Sequence, residues 1–285
     1  MKILDGKNLS AKIKDELKGN INSYFQTPIL AVITIGDDAA SEVYVKGKKK
    51  ACEYVGMSFL HIDYASTVKE EKVIRKIKQL NKDKTINGII LQLPLPKGFN
   101  TTKIINTIDP SKDVDGLTNV QAGKLLQNEK CFIPCTPKGI MEIFKEYKID
   151  LEGKHVVIVG RSILVGKPLM QECLNKNATV TICHSKTKGI EKFTKDADIL
   201  IVSIGKKHFI DKSMVKKGSV IIDVGINRID GKLYGDVNPN VEEVCDYLTP
   251  VPGGVGPMTV SMLIKNTFEA YKNQNGIVDI KDLMK

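Results

Sequence analysis

Short apolar runs alternate with helical patterns along most of the chain. Continuous apolar runs are typical of buried strands, and apolar residues three and four positions apart are typical of helices. In the first half, these patterns predict strands over 29–35, 57–62 and 86–93 and helices over 40–55 and 69–80. In the second half, they predict helices over 137–147 and 259–272 and strands near 155–159, 178–183, 198–204 and 219–226. This alternation predicts an α/β fold.

A glycine turn follows one of these strands and opens a segment with a helical pattern. The apolar run Val156–Val159 leads into Gly160, and Gly166 follows six residues later. Glycine permits a tight turn, and the N–H groups at a helix N-terminus attract the phosphates of a dinucleotide. Ser162 stands where the G-x-G-x-x-G fingerprint has its second glycine, so the plain fingerprint is missed. The turn predicts a dinucleotide site; the alternative is an ordinary tight turn with a surface arginine, Arg161.

The end of the next strand indicates which dinucleotide is bound. NAD-binding proteins normally carry a carboxylate there, which bonds the ribose 2′-hydroxyl. Residues 184–187 read His-Ser-Lys-Thr instead, so no carboxylate would repel a 2′-phosphate. A guanidinium such as that of Arg161 binds phosphate bidentately. The sequence therefore predicts NADP as the cofactor. The predicted cofactor-binding residues are Gly160, Arg161, Ser162, His184, Ser185 and, in a later loop that leaves its strand through a glycine, Ile226.

The chain is long enough for two domains, and a stretch rich in proline, glycine and aspartate interrupts the pattern at 94–116. We predict two α/β domains with a cleft between them, the second of which is Rossmann-like and binds NADP. The first is predicted to comprise residues 1–118 and 268–285, because the last helix is expected to return to it. The second is predicted to comprise residues 119–267.

Composition limits the classes of function. The formal net charge of +10 comes from lysines spread along the chain, aromatic residues make up only 6%, and tryptophan is absent, which favours solvated surfaces over nucleic-acid binding. No apolar run is long enough for a membrane span and the start lacks an apolar signal core, so we expect a cytoplasmic enzyme without membrane contact. The six cysteines and four histidines show no metal-ligand spacing, which predicts reduced thiols and no metal site.

The predicted helix over 40–55 carries candidate catalytic groups. Tyr44 and Lys48 lie one turn apart at the border of its apolar face. A lysine there is expected to be partly desolvated and close to other ammonium groups, which would lower its pKa and allow it to exchange protons. Alternatively, Lys48 only extends its stem along the border of the helix. The residues assigned to the apolar face are Val43, Gly47, Ala51, Tyr54 and Val55.

Three loops carry further candidates. Gln92 is a single polar amide at the end of a buried strand, where it either serves a site or caps the strand. Asp113 and Asp115 lie in a Lys-Asp-Val-Asp-Gly loop, for which turn chemistry is the alternative explanation. Segment 250–259 holds three prolines and three glycines immediately before a helix. Such a backbone suits close approach to a ligand, or it forms a rigid hinge between domains.

In this order the motifs resemble those of the FolD family, the bifunctional methylenetetrahydrofolate dehydrogenase/cyclohydrolases. The resemblance runs over nearly the whole chain. Its segments are SEVYVKGK at 41–48, QLPLP at 92–96, KDVDG at 112–116, PCTP at 134–137, GRSILVGKP at 160–168, CHS at 183–185 and PVPGGVGPMT at 250–259.

The resemblance implies an enzyme of one-carbon metabolism. It would oxidise 5,10-methylenetetrahydrofolate with NADP and hydrolyse the methenyl product to 10-formyltetrahydrofolate. Tyr44 would stack on the folate rings, Lys48 oriented by Gln92 would transfer protons during hydrolysis, and Asp115 would bind the pterin edge. Further substrate contacts are expected from Leu91, Leu93, Pro252, Gly253 and Gly254. The resemblance also implies a homodimer formed through the cofactor domain.

Two other functions are considered from the sequence. An NADP-dependent oxidoreductase for another small substrate would need the same cofactor turn, but it would not need Tyr44 and Lys48 together with Gln92 and Asp115. A non-catalytic NADP-sensing module would also keep the turn, and it would give no absorbance change with methylenetetrahydrofolate and NADP.

Overall fold

The computed structural model describes residues 1–277, without the side chains of Ala39 and Ala40. The described chain divides into two compact units. Unit 1 contains residues 1–11, 125–129 and 133–259, and unit 2 contains residues 12–124, 130–132 and the chain from 260 onward. Both units have a parallel sheet with helices, so the predicted α/β architecture with two domains is confirmed. The last part of the predicted segment 268–285, residues 278–285, lies outside the described residues.

The elements up to residue 146 are β1 (Lys2–Ile3), α1 (Gly6–Ile21), β2 (Ile29–Ile35), α2 (Ala39–Val55), β3 (Ser58–Tyr64), α3 (Glu70–Lys82), β4 (Gly88–Leu91), α4 (Thr101–Ile105), α5 (Asn119–Leu126) and α6 (Cys135–Glu146). The later elements are β5 (His155–Val159), α7 (Gly166–Leu174), β6 (Thr179–Cys183), α8 (Glu191–Thr194), β7 (Ile199–Val202), β8 (Val220–Asp223), β9 (Asn227–Ile229), β10 (Lys232–Tyr234), β11 (Tyr247–Leu248) and α9 (Val255–Gln274). Short 3₁₀ helices lie at Lys212–Met214 and Pro239–Glu243.

Unit 2 is built on a three-stranded parallel sheet with β2 in the middle, between β3 and β4. Ala31, Ile33 and Ile35 alternate along β2 and share one core with Val73 and Ile77 of α3. Alternate residues of a strand point to one face of the sheet, so this face packs on the helical layer. The carboxyl ends of β2 and β4 therefore lie side by side, and residues that follow these strands can meet there.

Unit 1 contains a six-stranded parallel sheet in the order β1-β11-β8-β7-β5-β6. From β5, the chain passes first to β6 on one side and then returns to β7 on the other. Ligands of open α/β sheets bind outside the carboxyl ends of the strands at such a reversal. The loops after β5, β7 and β8 therefore form the edge at which a cofactor is expected.

Several predicted elements agree with the structure. The strands at 29–35 and 155–159 have the predicted bounds. The last helix begins at Val255 rather than 259, inside the proline-glycine segment. Helix α1 was not predicted, although Leu9, Ile13, Leu17 and Ile21 recur every four residues and are all buried.

The predicted apolar face of α2 is partly wrong. Ala51 and Val55 are buried as expected, but Val43 is 58% and Tyr54 48% exposed. The Tyr54 hydroxyl instead donates a hydrogen bond to the Asp15 carboxylate of α1. Among the described side chains of α2, Val45 and Cys52 are also buried. The buried face is thus turned toward Val45: at about 100° per residue the half-buried Lys48 lies between Val55 and Cys52, and the exposed Gly47 lies outside this face.

Two buried carboxylates join the loops at the carboxyl edge of the unit 1 sheet. The Asp236 carboxylate is fully buried and accepts the backbone N–H groups of Ile204 at 2.7 Å, Gly205 at 3.0 Å and Lys206 at 2.7 Å. The Asp223 carboxylate, at the end of β8, accepts the backbone N–H groups of Asp236 at 3.0 Å, Val237 at 2.9 Å and Gly225 at 3.0 Å.

Burial raises the pKa of Asp223 from 3.8 to about 6, and the negative charge of Asp236 adds to this effect while the three N–H groups oppose it. A carboxyl whose pKa is higher in the folded than in the unfolded chain binds protons more strongly when folded. Its stabilising effect is complete below the unfolded pKa of 3.8 and is lost as the pH rises through about 6.

We therefore expect the free energy of unfolding of the wild type to rise by about 1 kcal/mol, relative to Asp223→Asn, as the pH falls from 7.5 to 5. Denaturant titrations at several pH values measure this difference. Asp211→Asn is the control, because the Asp211 carboxylate caps a 3₁₀ helix and a hydrogen bond from Ser213 lowers its pKa, so it stays ionised throughout this range. Parallel pH profiles for the wild type and Asp223→Asn would contradict the assignment.

Candidate functional site

Lys48 and Gln92 meet in unit 2. The Lys48 ammonium Nζ donates to the Gln92 amide oxygen Oε1 at 2.7 Å. The Gln92 backbone N–H donates to the Ile33 carbonyl at 2.8 Å, and its side-chain Nε2 donates to the Leu93 carbonyl at 2.9 Å. Because the amide nitrogen already has an acceptor, the amide oxygen faces the lysine. The predicted orientation of Lys48 by Gln92 is therefore present as a direct hydrogen bond.

Tyr44 lies one turn before Lys48 on α2 and is 45% exposed. The start of this helix is fixed by Asp38, whose carboxylate accepts the backbone N–H of Ser41 at 2.8 Å and its hydroxyl at 2.7 Å. Such a cap satisfies helix donors that otherwise lack a partner. The Tyr44 ring is thus held near Lys48 on an ordered turn, and the exposed part of the ring is open to stacking.

The Lys-Asp-Val-Asp-Gly loop is anchored by its first residue, Lys112. Its ammonium donates to the carbonyls of Leu80 at 2.8 Å and Asp83 at 2.6 Å, and burial lowers its pKa. The Lys112 carbonyl accepts the backbone N–H of Ile89 in β4 at 2.8 Å. The loop therefore runs along the strand that ends just before Gln92.

Within this loop the two aspartates have different surroundings. Asp113 is 1% exposed and accepts the backbone N–H groups of Thr118 at 2.7 Å and Leu117 at 3.2 Å. Burial raises the pKa of Asp113, and these bonds partly oppose the rise. Turn chemistry thus accounts for Asp113, whereas Asp115 is only half-buried. Asp115 is therefore the carboxylate of this loop that a ligand can reach.

The two leucines beside Gln92 are placed differently. Leu91 is 3% exposed and its side chain belongs to the core of unit 2, against which the partly buried Leu93 packs. A substrate contact at Leu91 would therefore be made by its backbone. The contact predicted for Leu93 can involve its side chain.

The proline-glycine segment lies in unit 1 and is held by the N-terminal residues of the chain. The Gly253 carbonyl accepts the backbone N–H of Lys7 at 2.8 Å, and the Gly254 N–H donates to the Pro250 carbonyl at the same distance. Gly253 has φ +108°, and a Cβ at Gly254 would lie 2.6 Å from the Pro250 oxygen. Glycine is required at both positions. Pro252 is exposed, so the segment presents it on a fixed backbone.

The turn after β5 also needs its glycines. Gly160 has φ +134°, and a Cβ there would lie 2.5 Å from the Ser203 hydroxyl oxygen; one at Gly166 would lie 2.1 Å from the Gly160 carbonyl. Ser162, at the place of the missing glycine, accepts the Val165 N–H through its hydroxyl at 3.1 Å. The turn is thus closed by a side-chain bond and leads directly into α7.

Donors surround this turn at the neighbouring strand. The Gly160 N–H donates to the Cys183 carbonyl of β6 at 2.9 Å, so His184 and Ser185 follow directly beside the turn. His184 Nδ1 accepts the Lys186 backbone N–H at 3.2 Å. In the tautomer that accepts this bond the imidazole hydrogen is on Nε2, which can then act as a donor. Arg161 and Ser185 are exposed at the same edge.

The residues present fit an NADP-type cofactor. The Ser203 hydroxyl beside Gly160 is buried and has no hydrogen-bond partner within residues 1–277. A buried polar atom of this kind is a candidate for a bond to a ligand. Ile226 is 45% exposed and lies beside Gly256, where a Cβ would come within 3.6 Å of it. No three His, Cys, Asp or Glu side chains of the described part are grouped to hold a metal ion.

The sequence patterns did not single out Asp223 or Asp236. The sequence does carry a sign of them, because each aspartate lies within two residues of a glycine: Gly225 follows Asp223, and Gly235 precedes Asp236. Each of these glycines leaves room for the carboxylate of the other aspartate. A Cβ at Gly225 would lie 2.2 Å from the Asp236 carboxyl carbon, and one at Gly235 would lie 1.8 Å from Asp223 Oδ2. Acidic residues next to such glycines mark a close approach between a carboxylate and a backbone.

Two family models match the chain. The catalytic domain of tetrahydrofolate dehydrogenase/cyclohydrolase matches residues 4–115, and the NAD(P)-binding domain of the same family matches residues 134–275. The bifunctional protein FolD of Halalkalibacterium halodurans is 51% identical over 274 residues, which cover 95% of this chain and 98% of the relative. None of the helices within residues 1–277 has the length and hydrophobicity of a membrane span.

Solved structures agree with these matches. FolD from Campylobacter jejuni is 45% identical with a TM-score of 0.94, and the alignment covers 96% of this chain and 99% of that one. FolD from Trypanosoma brucei, solved with an NADP cofactor and an inhibitor, is 32% identical with a TM-score of 0.92, covering 96% and 98%.

Proposed function

The chain belongs to the tetrahydrofolate dehydrogenase/cyclohydrolase family, and we propose that the residues described above perform its two reactions. It oxidises 5,10-methylenetetrahydrofolate with NADP to the methenyl form and hydrolyses that product to 10-formyltetrahydrofolate. The hydrolytic site is assigned from one observation, the hydrogen bond between Lys48 Nζ and Gln92 Oε1. Tyr44 lies one helical turn before Lys48.

Hydrolysis needs proton transfer at two moments. Water attacks the methenyl carbon and loses its first proton. The hydroxyl of this adduct then loses its second proton to solvent water as the formyl C=O forms, while the bond from the carbon to N5 breaks and N5 gains a proton. In its neutral form Lys48 takes up the first proton, and its ammonium form delivers one to N5. The Gln92 oxygen holds Nζ in one direction for both transfers, which is how a positioned base or acid contributes to rate.

Folate binding is assigned to groups around this pair. The exposed Tyr44 ring offers a face for stacking on the flat pterin. The amino and N–H groups of the pterin edge are donors, and the half-buried Asp115 carboxylate is an acceptor that matches them. We further assign contacts to Leu91 through its backbone, to Leu93, and to Pro252, Gly253 and Gly254.

NADP supplies the hydride acceptor for the first reaction. Gly160 and Ser162 shape the turn that receives its phosphates, while Arg161, His184 and Ser185 offer donors for the 2′-phosphate. Ile226 contributes an apolar contact. Hydride transfer depends on positioning rather than on an acid or base, so mutation should separate the two activities.

The predicted domain bounds, 1–118 with 268–285 for the folate-binding domain and 119–267 for the NADP-binding domain, stay a prediction. A cytoplasmic location and the lack of nucleic-acid and membrane partners also stay predictions. The lysine-rich surface supports only a general attraction for anionic small molecules.

Replacing Lys48 by methionine should lower the rate of methenyl hydrolysis by about 10²-fold or more, because the proton transfers lose their mediator. The rate is followed by the decay of methenyl absorbance without NADP. Lys49→Met is the matched control, since Lys49 lies on the same helix and forms only an exposed ion pair with Glu53 at 3.8 Å. Near wild-type hydrolysis by Lys48→Met would refute the role of Lys48.

Replacing Arg161 by alanine should lower the ratio of kcat/KM for NADP to that for NAD by about tenfold or more, since a charge-assisted bond to the 2′-phosphate is lost. His184→Ala and Ser185→Ala are combined with it, because neighbouring donors on one phosphate can compensate for each other. Arg75→Ala on the exposed side of α3 is the control. An unchanged NADP preference in the triple variant would exclude these residues as the 2′-phosphate site.

A homodimer through the cofactor domain is supported by the family resemblance. Sedimentation equilibrium should then give about twice the chain mass of 31.5 kDa. A mass equal to that of one chain would contradict it.

A further inference from the structure

One carboxylate, that of Asp236, holds two loops at the cofactor edge of the unit 1 sheet. Its Oδ2 accepts the N–H groups of Ile204 and Gly205, and its Oδ1 accepts that of Lys206, all from the loop after β7. Oδ1 also accepts the side-chain Nδ2 of Asn227, after β8, at 2.9 Å. Four donors from two loops thus converge on one buried side chain.

Asp223 fixes Asp236 in turn. Its Oδ1 accepts the backbone N–H groups of both Asp236 and Gly225 at 3.0 Å. The Asp223 backbone N–H donates to the Thr249 hydroxyl at 2.8 Å, which ties the end of β8 to the chain after β11. Neither carboxylate can therefore shift without moving at least one strand end.

The held loops flank the positions where the proposed function needs contacts. β7 lies next to β5 at the reversal of the sheet. The loop after β7 begins at Ser203, whose hydroxyl and carbonyl oxygens lie so close to Gly160 that a Cβ there would come within 2.6 Å of both. Ile226 lies between Gly225, held by Asp223, and Asn227, held by Asp236. Its exposed side chain is thus presented by a backbone anchored on both sides.

We propose that Asp236 is a positioning residue for NADP: it presets the loops 204–206 and 225–227 in the form that receives the cofactor. The inference rests on the proposed cofactor site. The N–H groups of residues 204–206 point at Asp236 and are therefore used for shaping the loop rather than for binding phosphate. Loops ordered in advance avoid the entropy cost of ordering on binding, so affinity for the cofactor is higher.

A purely structural role predicts a different result. If Asp236 only stabilised the fold, its loss would affect both activities together with the unfolding transition. A positioning role acts on cofactor use alone, and the hydrolysis of methenyltetrahydrofolate, assigned to Lys48 and Gln92 of unit 2, provides an internal reference that needs no NADP.

The experiment compares the full-length wild type with Asp236→Asn, which keeps the size of the side chain but replaces one acceptor oxygen by a donor facing other donors. The KM for NADP, and the Kd measured by titration with NADP alone, should rise by about tenfold or more, as expected when bonds to a charged acceptor are lost. Methenyl hydrolysis should stay within about twofold of the wild type.

Asp198→Asn is the matched control. The Asp198 carboxylate also accepts a backbone N–H, that of His155 at 2.9 Å, and pairs with Lys216 at 2.7 Å, but it lies before β7 at the opposite edge of the sheet. Its KM for NADP should equal that of the wild type. An equal rise in both variants would mean that general loosening of unit 1 is responsible, and it would overturn the inference.

Asn227→Ala keeps the test decisive if Asp236→Asn fails to fold, because it removes only one donor to Asp236. It should raise the KM for NADP by about two- to fivefold with unchanged hydrolysis. If the wild type is active and the variant that folds binds NADP as tightly as the wild type does, the inference about Asp236 is wrong, and the proposed function is unaffected. A wild type that does not oxidise methylenetetrahydrofolate with NADP contradicts the proposed function instead.

Discussion

Backbone N–H groups in the loops beside parallel strands need acceptors, and this constraint shapes both units. The loops that leave such strands no longer belong to the sheet, so their donors must find other partners. In unit 1 Asp236 accepts three of them after β7, and Asp223 accepts that of Gly225 after β8 together with those of Asp236 and Val237. In unit 2 the Asp113 carboxylate accepts two N–H groups of its own loop. Each buried acid thereby gives a loop one conformation.

Holding a loop with a buried carboxylate has a cost, because burial disfavours the charged form. The raised pKa values of Asp113 and Asp223 express this cost, and the converging N–H groups offset part of it. In return, the neighbouring residue is presented on a rigid support. Asp115 follows Asp113 by two positions, and Ile226 follows Asp223 by three. The buried acid holds the loop, and the accessible residue beside it is the one for which a ligand contact is proposed.

Local patterns were predictable from the sequence, and distant pairings only where the family resemblance implied them. The strand at 29–35 and the Gly160 turn carry signals within a few residues, whereas the Lys48–Gln92 pair was expected from the order of motifs that the chain shares with a known family. The buried face of α2 was misjudged, because Tyr54 is amphipathic and its hydroxyl finds Asp15 on another helix. The bond from Asp236 to Ile204 spans 32 positions, and no periodicity of a strand or helix reports such a contact.

The pair proposed for hydrolysis and the loops proposed for cofactor selectivity lie in different units, and this division bears on how each can change. The pair Lys48–Gln92 is held by α2 and by the ends of β2 and β4 in unit 2. The turn at Gly160 and the Asp236 network are fixed by strands of unit 1. Substitutions with no shared partners usually act independently. We therefore expect substitutions in the unit 1 loops to alter cofactor selectivity while the Lys48–Gln92 pair keeps its geometry.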